Sequence, residues 1–482
     1  MHNQRSLLPN IPLNGGMRLV SSKPIIVSPE ARRYALKELI RRSGVARDTF
    51  LQWTINVLPE RTTLSLGSDT QKQIHFLHSP HGILRTNISS FRMAKAAWLK
   101  PPENEATCAD LIIPYCAQEQ PADAPLYQRA ADGSIVCALD LLSAIVLTLA
   151  RAEEMSSGDC DEHGRHLATA SIAFRHNFME RPILDEYGLA LEQVISSLLP
   201  SWQPQRRSLR IKLSHDIDQV GLPFQLNATL GHAIKRGNIS AALRDFASLV
   251  GASEPTELHL VRQLADISSS RGLHSAFYWK ASGASPWDTG YDPMHAKVQS
   301  VIHHLSESGF ELGVHPAYNT FGNRANLSAE VESLKNLLNV RWPGGRQHYL
   351  RWAPGTWLDW EACGLLYDSS LGYAEQMGFR AGTAYPYRPW CLQENRELNL
   401  IEVPLILMDV TPVRYMKLPR LEGLRRIQVL IQRTARVGGV FTLLWHNTSL
   451  HEPDFRGWYE PILEMLSGAE QYEVPRRADW LW

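Results

Sequence analysis

From Leu209 onward, short apolar runs alternate with longer stretches of helical period. Leu209–Ser214 predicts a half-buried strand, because Ile211 and Leu213 alternate with Lys212 and Ser214. A long, mostly helical stretch to Arg271 follows, then a strand at Ser275–Lys280, a helix around His295–Ser308 and a strand at Phe310–Val314. Ser328–Asn339 predicts a helix, His348–Trp352 a strand, Thr356–Gly364 a helix and Ile401–Leu407 a strand. The helix Leu421–Val437 and the strand Val440–Trp445 complete the series. Strands alternating with helices predict parallel βαβ units, and over this length a closed or nearly closed barrel.

Residues 1–200 carry a weaker pattern. Pro29–Arg42 predicts a short amphipathic helix, and Thr62–Leu66 and Gln73–Leu77 predict strands. The Pro-, Glu- and Ala-rich run 101–125 reads as a surface connection. Asp140 is placed to cap a helix Leu141–Glu154, whose polar tail Arg151–Glu154 reads as a solvated end rather than an interdomain contact. His163 reads as a surface residue in a loop. Leu198–Arg207, with two prolines and a basic end, is the predicted linker. A chain of 482 residues exceeds one ordinary core, so the predicted division is an N-terminal α/β domain over 1–200 and a second domain over 201–482.

Composition narrows the class. Hydrophobic residues at 44% and charged residues at 20% are globular values. Lys plus Arg equals Asp plus Glu at 49 each, which argues against nucleic acid or an anionic membrane as the main partner. The most apolar helical run, Leu139–Ala150, is far short of the roughly 20 residues of a membrane span. The first residues hold no apolar core ahead of a cleavage site, so no signal peptide is expected. Six cysteines without a close pair indicate neither a zinc knuckle nor a disulfide framework, and a reducing cytoplasmic setting is expected. No Gly-rich phosphate loop follows any predicted strand.

The candidate chemistry lies where strands end. The first strand runs into His215, Asp216 and Asp218; the third into His315 and Asn319; another carries His348 and Arg351 and turns at Pro354-Gly355. Ile401–Leu407 runs into Asp409, and Val440–Trp445 into His446. Catalytic groups gather in this way from several strand ends at one face of an α/β fold. Trp279, Trp352, Trp357 and Trp445 flank these ends as candidates for stacking on a ligand ring.

This order of motifs resembles the polysaccharide deacetylase family (carbohydrate esterase family 4) over roughly Leu209–Tyr459. The resemblance implies a distorted (β/α) barrel and metal-dependent amide hydrolysis of a carbohydrate substrate, with a divalent metal, zinc by expectation. It gives Asp216 the role of base, Asp218 and His315 those of metal ligands, Arg351 that of holding the base, and His446 that of acid. Asp409 orients His446 by strand order, with Asp368 in Tyr367–Gly372 as the rival. The family's second metal histidine is replaced by Asn319, so either His348 completes an Asp-His-His site or Asn319 is a weaker ligand; His348 is favoured. Against His348 stands its odd spacing from Arg351, which would turn the two to opposite faces of one strand. Gly378–Tyr387 (GFRAGTAYPY) is similar to a long loop in a subgroup with an extra N-terminal domain, as are the Asp140–Glu154 helix and Gly164–Tyr187. Two other functions stay open: a deacylase or deformylase of another small amide, and a glycan-binding pseudoenzyme, which Asn319 would suit. Oligomeric state is not encoded in any pattern found.

Overall fold

The computed structural model describes residues 27–67, 72–79, 92–98, 110–116, 125–156, 158–221, 254–281, 285–341 and 343–475. The helix Pro29–Arg42 forms where its periodicity predicts, with Pro at its start and the Ser28 side chain accepting the Ala31 amide. A sheet follows in the order Thr54–Val57, Arg61–Ser65, Gln73–Leu77, Ile135–Cys137, Tyr127–Arg129. Its pairs are antiparallel except Gln73–Leu77 beside Ile135–Cys137. Asp140 caps Leu141–Leu149, one carboxylate oxygen accepting the Ser143 amide at 3.2 Å and the other the Ser79 amide at 2.9 Å. That helix stops short of its predicted end because Arg151 turns left-handed (φ 53°), after which Ala152–Ser156 starts anew. Within the run read as a surface connection, Asp110–Cys116 is a strand paired with Arg92–Ala97; its flanks 101–109 and 117–124 lie outside the described residues.

The second half is mixed α/β with a parallel ladder. Glu311–Val314, Ala276–Trp279, Arg210–Ile217, Val440–Leu444 and Leu407–Met408 are neighbours in that order. Beyond Val314 the pairing continues through Gly345 to Asp368, and Tyr367–Asp368 pairs with Ile401–Glu402. The segment Ile401–Met408 is thus bonded to Tyr367–Asp368 at its start and to Val440–Leu444 at its end. The close approach at Gly344-Gly345 requires glycine: a Cβ on Gly345 would stand 1.9 Å from the Val314 carbonyl oxygen. The ladder's outer faces carry the helices Thr256–Ser269, Ala296–Glu307, Arg324–Leu338, Pro354–Ala362 and Arg420–Val437. Part of the stretch expected to be helical before Arg271, 222–253, lies outside the described residues, as does the N-terminal stretch 1–26. His348–Trp352 is not a strand. Tyr349 and Leu350 both take positive φ (63° and 53°), and His348–Leu350 is one tight turn.

The polar tail expected in solvent is buried instead. Arg380 donates to both oxygens of Glu154 at 3.0 and 2.5 Å, and Arg151 holds Glu153 and Glu154 at 2.7 Å each. Nearby, Arg42 and Thr383 meet on Asp185 Oδ1 at 2.9 and 2.6 Å, and the Ala384 amide takes Asp185 Oδ2 at 2.7 Å. The Gly378–Tyr387 loop is therefore seated on residues 42, 154 and 185. Long charged side chains can be fully enclosed when every charge finds a partner, which periodicity cannot reveal. Among the described residues, no helix is long and apolar enough to cross a membrane.

Candidate functional site

Strand Arg210–Ile217 supplies the first group, and its alternation separates His215 from Asp216. His215 is buried, its Nδ1 2.8 Å from the Trp445 carbonyl and its ring 4.9 Å from that of Phe277. Burial pushes its pKa down to about 4, so it is a neutral packing residue. Asp216 faces the other way, where Arg346 Nη1 donates to its Oδ1 at 2.8 Å. Arg346 is wholly enclosed and also donates to Ser214 Oγ at 3.0 Å and the Ser369 carbonyl at 2.9 Å. Holding the base was expected of Arg351, and the structure corrects this. Arg351 instead donates to the carbonyls of His163 (2.8 Å) and Tyr318 (2.6 Å) and lies over the Tyr318 ring.

Asp218, just past the strand, meets two histidines. Its Oδ1 lies 3.3 Å from His315 Nε2 and 3.2 Å from His348 Nε2, and ligand atoms of the three residues lie within 4.8 Å of one another. Each imidazole is held from behind: His315 Nδ1 by the Arg346 carbonyl at 2.7 Å, and His348 Nδ1 by Asp288 Oδ1 at 2.7 Å. This leaves both Nε2 atoms turned toward Asp218, and that of His315 is buried with no hydrogen-bond partner. Backing of Nδ1 by a carbonyl or carboxylate is how metal-binding histidines are oriented, so the residues fit a divalent metal. The left-handed turn at Tyr349 takes His348 out of any strand, which removes the facing objection.

Besides Arg346, the sequence reading missed Lys280 and Asp288 beside this group. Lys280 Nζ lies 2.9 Å from Asp218 Oδ1, 3.0 Å from His348 Nε2 and 3.5 Å from Asp288 Oδ1. Its signal was available, a lysine closing the apolar run Ala276–Trp279. Asp288 had none, since it sits in an irregular loop. Burial works against the Asp288 charge, yet His348, Ser285 and Lys280 hold its pKa down to about 2. Burial likewise opposes ionised Asp218, and Lys280 and His348 hold it well below the usual carboxylate range. His348 is pushed down by burial, but Asp218 and Asp288 leave it above its ordinary value.

Across from these, Asp409 Oδ1 lies 2.8 Å from His446 Nδ1, and its Oδ2 accepts the His446 amide at 2.8 Å. Burial pushes the imidazole down, but Asp409 outweighs it and lifts the pKa to about 9. His446 Nε2 points back to Asp218 Oδ2 at 3.7 Å. Asp368, the rival orienter, is instead buried at the ladder, where Oδ1 accepts from the amide and hydroxyl of Ser370. Asn319, the alternative ligand, is exposed in the short turn Tyr318–Thr320 and does not line the cleft.

These groups open into a cleft of about 320 Å³. Trp279, Trp352, Trp357 and Trp445 are each at most 2% exposed, so none offers a ring to a ligand. The indole at the cleft is Trp287, 46% exposed and stacked on Tyr318 at 5.8 Å. His163, expected at the surface, is buried edge-on against Trp287, with ring centres 4.9 Å apart. Among the described residues, a larger hollow of about 600 Å³ around Leu418, Arg420 and Trp458 is lined by one carboxylate, Asp454, and no histidine.

Residues 27–200 match the model of a family of unknown function, DUF7033. No curated protein matches the chain. Similar solved structures include a protein from Mycobacterium smegmatis assigned as a polysaccharide deacetylase, 18% identical over 58% of this chain and 90% of that one (TM-score 0.37). Another, from Bordetella bronchiseptica, is assigned as a polysaccharide deacetylase involved in O-antigen biosynthesis; it is 16% identical over 55% and 92% (TM-score 0.30). A third is the Puue allantoinase, 14% identical over 58% and 91% (TM-score 0.38).

Proposed function

We propose that this protein is a metal-dependent hydrolase that removes an N-acyl group, acetyl in the simplest case, from an amino sugar or polysaccharide intermediate. In this reading residues 201–482 form a distorted (β/α) barrel and residues 1–200 a separate N-terminal domain. The observation that carries the proposal is the convergence of Asp218, His315 and His348 between the Arg346–Asp216 and Asp409–His446 pairs. A divalent metal on the first three residues, zinc being the expected one, would supply Lewis-acid polarisation of the acyl carbonyl and acidify the attacking water. Asp216, fixed by Arg346, takes the proton from that water. His446, whose Nδ1–H is directed at Asp409, keeps Nε2–H for the departing amine. Trp287 offers its exposed face to a sugar ring. The carbohydrate substrate follows from the family resemblance.

Lys280 favours a second reading, a glycan-binding protein without metal, because its nitrogen sits among the would-be ligands. Elemental analysis combined with amine release from a panel of N-acetylated sugars separates the two. The hydrolase reading expects about one divalent metal per chain and turnover of at least one sugar. Asp216→Asn should keep the metal and lose turnover by about a hundredfold or more, whereas Asp218→Asn should lose the metal. A metal-free protein inert on every sugar would leave the binding reading standing.

A further inference from the structure

The N-terminal region reaches the cleft through the turn 159–167, which the Leu167 amide closes on the Asp159 carbonyl at 3.0 Å. Asp161 N bonds the Arg165 carbonyl at 2.9 Å, and Asp161 Oδ1 accepts the amides of His163 and Arg165 at 2.9 Å each. Gly164 takes φ 74°, which closes the turn. Facing it is the left-handed turn that carries His348, and the two exchange guanidinium–carbonyl bonds. Arg165 Nη1 donates to the Tyr349 carbonyl at 3.1 Å, and Arg351 Nε donates to the His163 carbonyl at 2.8 Å. His163 adds its ring against Tyr349 at 4.6 Å and against Trp287 at 4.9 Å.

We propose that this reciprocal clasp makes the 159–167 turn a working part of the cleft, with Arg165 as a positioning residue for His348. Arg165 lines the cleft, but Asp161 takes its Nε and Nη2, both at 2.7 Å, and Tyr349 takes Nη1. A guanidinium occupied in this way braces its neighbours and has little left for a ligand. What it braces is costly backbone. Tyr349 and Leu350 sit consecutively in a conformation that bulky residues resist, and such strain persists only where the surroundings over-determine it. Relaxation of that turn would swing the His348 imidazole, one residue earlier, away from Asp218. The same turn props Trp287 through His163. The region matched by a family of unknown function would thus have a task, completing the site built by the second half of the chain. The consequence for metal binding rests on the hydrolase reading; the clasp itself does not.

Hydrogen–deuterium exchange and zinc calorimetry on the full chain test the two parts separately. In Arg165→Ala, the amides of His348, Leu350 and Arg351, which bond Pro316, Gln347 and His348, should exchange faster than in wild type. Zinc affinity should fall about tenfold, the scale of losing an orienting partner, and Arg165→Lys should recover part of it. Arg351→Ala should have a similar effect, and the double variant should lose little more than either single, since both remove one clasp. Unchanged exchange at 348–351 in Arg165→Ala would overturn the clasp whatever zinc does. Faster exchange with wild-type zinc affinity would overturn the positioning role. A wild-type protein that binds no zinc counts against the metal reading alone, and the exchange result still decides the clasp.

Discussion

Lys280 and Asp288 both contact His348, and a metal would feel them with opposite sign. Lys280 brings a positive charge to within 3.0 Å of His348 Nε2 and 2.9 Å of Asp218 Oδ1, the atoms turned toward the proposed metal. Asp288 holds the far nitrogen of the same ring, and its fully shielded carboxylate also accepts from Ser285 Oγ at 2.7 Å. Lys280→Met should therefore tighten divalent-metal binding by about tenfold or more, since like charges a few ångströms apart repel by kilocalories even at a moderate dielectric. Asp288→Asn should weaken it by about 10–100-fold through loss of ring orientation. Calorimetric titration with zinc checks both. If Lys280→Met bound metal more weakly, Lys280 would be a supporting group and not a competitor.

At the scale of elements, the segment 344–370 separates what the sequence made legible from what it hid. Strand–helix alternation was readable because each strand is an apolar run closed by polar residues, as in Ala276–Trp279 and Val440–Leu444. The convergence of Asp216, Asp218, His315, Asp409 and His446 was readable because they lie at the ends of strands of one ladder, whereas His348 was expected from a strand that does not form. The turn at His348–Leu350 was not, since Tyr349 and Leu350 carry no local preference for positive φ. The partners Arg346 and Asp288 were missed for a similar reason, as irregular backbone places both. Behind Arg346 the ladder pairs Asp368 with Glu402, both enclosed, and Asp368 Oδ2 and Glu402 Oε1 have no hydrogen-bond partner. Burial pushes both carboxyls up, and the Asp368 carboxylate raises Glu402 further, so the folded chain favours their protonated forms. Unfolded carboxyls ionise near about 4, so the stability this pair contributes is full below that pH and is lost as pH rises through the raised folded values. Glu402→Gln keeps the Trp357 Nε1 bond that Oε2 now accepts at 2.7 Å, while removing one ionisation. Relative to that variant, wild type should lose stability in urea unfolding as pH rises above about 4. Parallel stability profiles for the two proteins would show that the Glu402 carboxyl is not raised by its burial.

For the whole molecule, the question is what holds residues 27–200 against the rest firmly enough for the 159–167 turn to serve the cleft. The contact is charged as well as apolar. Arg380 grips Glu154 with two bonds, donates to the Gly372 carbonyl at 2.8 Å, and packs over Tyr373 with its guanidinium 4.6 Å from the ring centre. Burial alone would raise the Glu154 carboxyl, yet Arg380 and Arg151 bring it down to about 2, so it is ionised inside the interface. Removing one partner of such a pair leaves a charge enclosed without compensation, at a cost of about 3–5 kcal/mol; removing both can be close to neutral. Arg151 remains beside Glu154 at 2.7 Å, which places Arg380→Met at the lower end of that range. Glu154→Gln combined with Arg380→Met should recover part of the loss, although it leaves Arg151 with Glu153 as its remaining acid partner at 2.7 Å. Chemical unfolding of wild type, both single variants and the double variant measures the coupling directly. A loss below about 1 kcal/mol in Arg380→Met would place this pair with the weak salt bridges of protein surfaces. The seat of the Gly378–Tyr387 loop would then rest on Asp185 with Arg42, Thr383 and Ala384.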